Sequence, residues 1–388
     1  MVNTPTVPAL GSWVDARNIL CVRLDSLGDV LMTTPAIRAL KEWGGTKGVR
    51  RITLLTSAAG GAIARLIPTV DDVLTYEAPW VKGSGAEANH GGVAVMARLL
   101  QARAFDAAVI FTVFSQSAFP AAMLAYMAEI PLRLAHVRER AYQLLTHEVR
   151  ESEPQGGIRH EVERQLALVS TVGAGARDGR LSLAVPDAAR GAVRERLSRL
   201  GAQRGRDLVI VHPGASAASR RYPPPRFGEA ARQIAARTGA RVVVTGSDSE
   251  RAIAEQVVAH AGSCARSLAG ELALDELVAL VAEASLVVTN NTGPAHIAAA
   301  VGTPVVTLYA LTNPQHTPWM VPSRVLSYDV PCRWCYRSVC PEGHNHCLTM
   351  VAPSDVAAAA VALLAEGRGS VATGTSPDAV SPFAATAM

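Results

Sequence analysis

Several stretches of the chain place residues of chemically useful type at useful spacing. Asp25-Ser-Leu-Gly-Asp-Val30 follows the apolar run Asn18-Ile-Leu-Cys-Val-Arg-Leu24. In that turn Asp29 suits a general base that takes a proton from a hydroxyl, with Gly28 letting a substrate approach the backbone. It equally suits plain helix entry, because acidic residues favour a first turn. A second stretch, His212-Pro-Gly-Ala-Ser-Ala-Ala-Ser-Arg-Arg-Tyr-Pro-Pro224, is rich in small residues and hydroxyls. Its backbone amides, Ser216, Ser219 and the forked side chain of Arg220 form a candidate pyrophosphate clamp, against the alternative of a flexible loop with surface arginines. The third stretch, Thr289-Asn-Asn-Thr-Gly-Pro-Ala-His296, lies between valine-rich runs. Asn291 or Thr292 can cap a short helix opened by Gly293 and Pro294, whose free N–H groups favour phosphate. His296 stands one turn inside that helix, as a ligand-facing or a structural histidine.

Two further features are more ambiguous. Glu250, after the strand-like run Arg241-Val-Val-Val-Thr245, can accept hydrogen bonds from ribose hydroxyls or simply cap its own helix. Cys332, Cys335, Cys340 and Cys347 have the spacing C-x₂-C-x₄-C-x₆-C, with His344 and His346 inside. In a reducing compartment this suggests a structural tetrahedral metal site, most simply Zn²⁺ and otherwise iron–sulfur, or a set of reduced core cysteines.

These turns need elements to position them. Short apolar runs alternate with helical patterns twice over, which predicts an α/β protein with two doubly wound sheets facing across a cleft. A length of 388 residues with 49% hydrophobic content supports two cores of ordinary size. The expected organisation is a flexible leader over 1–16, an acceptor-binding domain over 17–190, and a nucleotide-sugar-binding domain over 191–350 with the Cys-rich loop 332–347. A C-terminal helix is expected over 351–366, and a disordered tail covers 367–388. Within the first half, Thr34-Pro35 is read as the start of a helix through Trp43, Gly83–Gly92 as a glycine-rich loop, and His136, Arg138, Arg140 and His147 as a basic loop that holds an anionic acceptor or is merely solvated. The net charge of +4 comes from scattered arginines, with no dense basic run to mark a nucleic-acid surface. No signal-peptide pattern opens the chain and no apolar run is long enough to span a bilayer, so a cytoplasmic protein is expected.

Taken together, Arg23-Leu-Asp-Ser-Leu-Gly-Asp-Val30, His212-Pro-Gly-Ala-Ser216 with Arg220-Arg-Tyr-Pro223, and Asn291-Thr-Gly-Pro-Ala-His296 resemble glycosyltransferase family 9, the heptosyltransferases of the lipopolysaccharide inner core. The resemblance covers roughly residues 18 to 365. It implies a GT-B fold of two Rossmann-like domains, with the C-terminal helix packing back toward the first domain. It also implies inverting transfer from an ADP-activated heptose to a glycolipid or glycan acceptor, without a catalytic metal. Peripheral contact with the inner face of the membrane follows from that acceptor class. Asp29 matches the family's base, with Gly28 and Arg140 on the acceptor side. Ser216, Arg220, Glu250, Asn291, Thr292, Gly293 and His296 match its donor-binding positions. The family usually has Asp where Asn291 stands and Lys where Arg220 stands; an arginine holds a pyrophosphate as a fork rather than a point charge. Other readings of the same turns are a sugar-nucleotide epimerase and a non-catalytic sugar-nucleotide or glycan sensor. A nicotinamide dehydrogenase is disfavoured, since neither half carries G-x-G-x-x-G.

Overall fold

The computed structural model describes residues 12–43, 50–81, 92–200 and 206–373, in two compact units that divide between Gly179 and Arg180. In the first unit the order is β1 (Asn18–Arg23), α1 (Leu27–Glu42), β2 (Arg51–Thr56), α2 (Ala58–Ala64), β3 (Asp72–Thr75), α3 (Gly92–Ala102), β4 (Ala107–Ile110), α4 (Phe119–Met127), β5 (Leu132–Val137), β6 (His147–Arg150) and α5 (Glu161–Ser170). The second unit runs α6 (Asp187–Arg199), β7 (Leu208–His212), α7 (Pro224–Thr238), β8 (Arg241–Val244), α8 (Arg251–Ala261), β9 (Ala265–Ser267), α9 (Leu274–Glu283), β10 (Leu286–Asn290), α10 (Gly293–Val301), β11 (Val305–Leu308), β12 (Ser323–Leu326), α11 (His346–Thr349) and α12 (Pro353–Thr373).

Each unit builds one six-stranded sheet, ordered β3-β2-β1-β4-β5-β6 and β12-β11-β10-β7-β8-β9, with parallel pairing throughout. Numbered within its own unit, each sheet has the Rossmann order 3-2-1-4-5-6. Helices cover both faces of such a sheet, which is why its central strands are continuous apolar runs. Ligands bind at the carboxyl ends of the strands where the order reverses, here β1 beside β4 and β7 beside β10. The chemistry-bearing turns named above follow β1, β7 and β10.

Helix α1 begins at Leu27, about two turns before the predicted start, and carries Pro35 in its interior. Proline leaves the carbonyl of Leu31 without its helical donor. The hydroxyl of Thr34 supplies one instead, at 2.7 Å. Edge strands β6, β9 and β12 were not expected from the sequence. Most of their residues are at least part-exposed and they are mixed in polarity, so they show no apolar run. The leader is not free over its described part: Trp13 is buried, and its indole N–H donates to His147 Nδ1 at 3.1 Å. The rest of the leader, the Gly83–Gly92 loop up to residue 91 and the tail beyond 373 lie outside the described residues.

The domain boundary falls before α6 rather than near 190. Arg190 and Arg194 on α6 pair with Glu283 on α9 at 2.8 and 3.0 Å, which ties that helix to the second unit. Helix α12 was expected to pack toward the first domain and to end by 366. It runs to Thr373, and Val356, Ala357, Ala360, Leu363 and Leu364 sit in the second domain's core with Tyr222, Phe227 and Ile234. Helices α7 and α8 approach so closely at Gly228 that a Cβ there would lie 2.5 Å from the carbonyl oxygen of Val257. Backbone cannot yield as a side-chain tip can. Gly228→Val is therefore expected to destabilise the second domain by about 1–3 kcal/mol or more. Denaturant unfolding followed by hydrogen exchange in α7 and α8 measures this, and a cost below about 0.5 kcal/mol, the usual size of a surface substitution, would contradict it.

Candidate active site

In the first domain the site is organised by Arg23, the last residue of β1. Its side chain is fully buried and meets three carboxylates: Nε–Asp25 Oδ2 at 2.9 Å, Nη1–Glu161 Oε1 at 2.8 Å and Nη2–Asp29 Oδ1 at 3.2 Å. Asp29 completes a capping box at the start of α1. Its Oδ2 accepts from the Ser26 backbone N–H at 3.1 Å and from the Ser26 hydroxyl at 2.6 Å. Helix entry, one of the two alternatives for Asp29, is therefore what the hydrogen bonds show, and the cap and Arg23 together orient its part-exposed carboxylate. Gly28 is buried in the same helical turn.

Helix α5 braces this cluster from beneath. Gln165 Nε2 donates to Glu161 Oε1 at 2.6 Å and to the Thr112 carbonyl at 2.9 Å, and Arg164 also donates to that carbonyl. The exit of β4 is thus held against the exit of β1. Burial raises the proton affinity of Asp25. Arg23 is the largest opposing influence, the Asp29 charge adds to the rise, and the Gln116 amide, donating to Asp25 Oδ1 at 2.5 Å, works against it.

Of the residues read as a basic loop, for an anionic acceptor or merely solvated, two lie on strands β5 and β6, and Arg138 and Arg140 are exposed between them. His136 is buried on β5, and burial followed by the Arg164 charge lowers its pKa to about 4, so it is neutral at physiological pH. His147 lies on β6 and accepts from Trp13. Arg140 is exposed with its guanidinium 5.6 Å from the Tyr142 ring centre, and no described contact joins it to the Asp29 cluster.

The second domain brings the turns after β7, β8, β10 and β11 together. Asn290, buried at the end of β10, accepts from the Tyr222 N–H at 3.0 Å and donates to the Pro213 carbonyl at 2.7 Å, clamping both ends of the 213–222 turn. Glu250 Oε2 accepts from Ser247 N–H and hydroxyl at 2.8 and 3.0 Å, so it caps the short 3₁₀ turn 248–250 that leads into α8. It is also part of the site. A Cβ on Gly214 would lie 2.0 Å from Glu250 Oε1, so any larger residue there would push the carboxylate aside, and Glu250 Oε2 stands 4.0 Å from His212 Nε2. Burial lowers the pKa of His212, partly countered by Glu250.

Ser216 is exposed and Arg220 half-buried on that same turn, and the Arg220 Nε is buried without a hydrogen-bond partner. The Arg220 charge reaches Tyr309, whose hydroxyl pKa burial drives upward and Arg220 opposes. Thr292 is the N-cap of α10, and its side chain makes no capping hydrogen bond to the first-turn amides of Gly293 and its neighbours. Asn291 and His296 are buried beside it.

The expected metal set is not assembled. Among the described residues no three or more His, Cys, Asp or Glu side chains are placed to hold a metal ion, and Cys332, Cys335, Cys340 and Cys347 are part-exposed free thiols. The other three thiols lie near enough to Cys347 to reinforce the rise that burial gives its pKa. What the loop does in this structure is strap the turn after β7. Ser219 Oγ and N–H donate to the carbonyls of Arg337 and Ser338 at 2.8 and 3.1 Å, and Trp334 and Tyr336 N–H donate to the carbonyls of Leu311 and Thr312 at 2.7 and 2.8 Å. Arg23, Asp25, Glu161 and Asn290 had been given no role from the sequence. The one available signal was a polar residue at the end of an apolar strand, for Arg23 and Asn290.

The model for Glycosyltransferase family 9 (heptosyltransferase) matches residues 93–346. Lipopolysaccharide heptosyltransferase 2 of Salmonella typhimurium is 35% identical over 118 residues, 29% of this chain, and the match spans only 34% of that relative's length. Lipopolysaccharide core heptosyltransferase OpsX of Haemophilus influenzae is 25% identical over 310 residues, 79% of this chain and 82% of that protein. The solved structure of E. coli ADP-heptose lps heptosyltransferase II has a TM-score of 0.70 at 24% identity, covering 90% of this chain and 99% of that one, a likeness of fold. Two Rossmann-like domains with this likeness make the fold GT-B type. With more than half of its length inside the family model, the chain belongs to glycosyltransferase family 9.

Proposed function

We propose that this protein transfers a heptose from ADP-heptose to a saccharide acceptor of the lipopolysaccharide core, inverting the anomeric carbon. The observation that carries the donor half is the buried, unpartnered Nε of Arg220 beside Ser216 and the uncapped N-terminus of α10. A buried donor without a partner is costly, and an anionic ligand would satisfy it. The heptosyltransferase names of the relatives, and ADP-heptose in the name of the solved one, supply the sugar and the nucleotide.

In the reaction, Asp29 takes the proton of the acceptor hydroxyl as its oxygen attacks the anomeric carbon from the side opposite the diphosphate. A single displacement of that kind inverts configuration. The charge that develops on the departing ADP meets Arg220, Ser216 and the amides of Thr292 and Gly293. Asn291 and His296 line the same helix end, and Glu250 shapes the turn through Gly214. Arg140 has no part in this scheme. No described helix is long and apolar enough to cross a membrane, and a glycolipid acceptor places the work at the cytoplasmic face by peripheral contact.

At equal excess, ADP is expected to raise the unfolding midpoint of the protein and UDP and GDP to raise it little, since stabilisation follows ligand concentration over dissociation constant. Arg220→Ala is expected to weaken ADP binding more than tenfold, about 1.4 kcal/mol, as measured by calorimetric titration. An unchanged dissociation constant removes Arg220 from the clamp. A shift with UDP or GDP alone replaces the donor.

A further inference from the structure

A cavity of about 210 Å³ opens at the carboxyl ends of β1 and β4, where the first sheet's order reverses. Its apolar wall includes Leu24, Trp80 and Phe111, and its polar end is Asp25, Gln116 and Ser117. We propose that this cavity is the subsite for one sugar ring of the acceptor, with Trp80 against the ring face and Asp25 and Gln116 on its hydroxyls. The inference rests on the transferase reading above and names where the acceptor is held.

The composition fits a sugar better than a packing defect. Purely apolar voids stay empty, whereas this one ends in the carboxyl group of Asp25 and the amide of Gln116. A carbohydrate ring has both surfaces, C–H faces that pack on an aromatic side chain and hydroxyls that donate to a carboxylate. The size is also selective. Sites for drug-sized ligands run about 300–1,000 Å³, so 210 Å³ admits one small ring and not an oligosaccharide. A second cavity of about 130 Å³ shares Gln116 and Ser117 and is lined by His136, Arg138, Glu139 and Glu151, which leaves room for the neighbouring unit of a longer acceptor.

The polar end is set before any ligand arrives. The Val113 N–H donates to Gln116 Oε1 at 3.1 Å, which points the amide N–H₂ at Asp25 Oδ1, 2.5 Å away. Asp25 Oδ2 meets Arg23 Nε at 2.9 Å, and the same guanidinium holds Asp29. One rigid fork therefore fixes the spacing between the carboxylate that would hold the ring and the carboxylate that would take the proton. Asp25 is a positioning residue in this scheme and Asp29 the base.

Saturation-transfer NMR with the methyl glycosides of a hexose and of a heptose tests the subsite directly. Wild-type protein is expected to saturate the ring protons of at least one glycoside. Trp80→Ala should abolish the signal and Trp80→Phe restore it, while both variants keep the ADP-induced rise in unfolding midpoint that shows an intact fold. In the transfer assay Trp80→Ala should raise the acceptor KM tenfold or more with kcat within about threefold of wild type. No signal from either glycoside with wild type, or an equal signal from Trp80→Ala, overturns the proposal. Absence of the ADP effect in wild type with a glycoside signal that depends on Trp80 would instead overturn the donor reading and leave the subsite standing.

Discussion

Asp29→Asn is expected to lower kcat for sugar transfer on the order of 10²–10⁴-fold, the usual worth of a positioned general base, with the ADP dissociation constant unchanged. Asparagine keeps the size of the side chain and can still accept from the Ser26 N–H and hydroxyl, now 3.1 and 2.6 Å from Asp29 Oδ2. The capping box therefore survives while the proton acceptor is lost. Asp29→Ala removes both, and its extra effect should appear as about 1 kcal/mol of lost stability from the weakened helix start. Comparing the two variants separates chemistry from folding. If kcat falls equally with ADP affinity in Asp29→Asn, the residue acts on donor binding and the base lies elsewhere. If turnover stays within a few-fold of wild type, no proton is taken by this carboxylate.

Arg23→Leu should produce the largest loss of stability. Truncating one partner of a buried ionic cluster leaves the others uncompensated, which costs about 3–5 kcal/mol. Here one guanidinium serves Asp25, Asp29 and Glu161. In a domain of this size that corresponds to a fall of roughly 6–20 °C in the first domain's unfolding midpoint. The two domains need not unfold together, so the loss should be read from hydrogen exchange on β1 and β4.

The pH dependence has a definite sign. Burial raises the proton affinity of Asp25 and Arg23 is its main counterweight. A carboxyl whose folded-state pKa lies above its unfolded value contributes stability that is present at low pH and lost as pH rises through the folded value. Without Arg23 the rise is larger, so the penalty of Arg23→Leu should shrink as pH falls from 7.5 toward 5. Adding Asp25→Asn to Arg23→Leu should recover part of the loss. A penalty that grows on acidification, or one below about 1 kcal/mol, would show that the cluster is not held as an ionic unit.

Much of this was legible in the sequence because the signals are local. Valine-rich runs such as Val209–Val211 and Leu286–Val288 are buried on both faces and read as parallel strands directly. The turns after β1, β7 and β10 announced themselves by glycine, hydroxyl and acidic residues in sequence, and those same residues carried the family. Edge strands β6, β9 and β12 escaped because a half-exposed strand needs no apolar run. The start of α1 was misplaced because proline normally ends a helix, and only a neighbouring hydroxyl, Thr34 on the Leu31 carbonyl, lets Pro35 sit inside one.

The tertiary structure alone decided which charges and polar groups meet. Arg23 reaches Glu161 across 138 residues and Asn290 reaches the Pro213 turn across 77. A buried arginine and a surface arginine have the same letter, and no periodicity distinguishes them. The four cysteines show the complementary case, in which spacing suited to a metal accompanies a loop whose visible bonds are backbone hydrogen bonds to the turn of Ser219. By itself the sequence determined the two Rossmann halves and the family, and it marked Asp29 as the candidate base, because each depends on residues close together in the chain. Folding determined the brace around Asp29, the strap over the turn after β7 and the cavity beside Asp25, because each depends on partners that only a packed sheet brings within bonding distance.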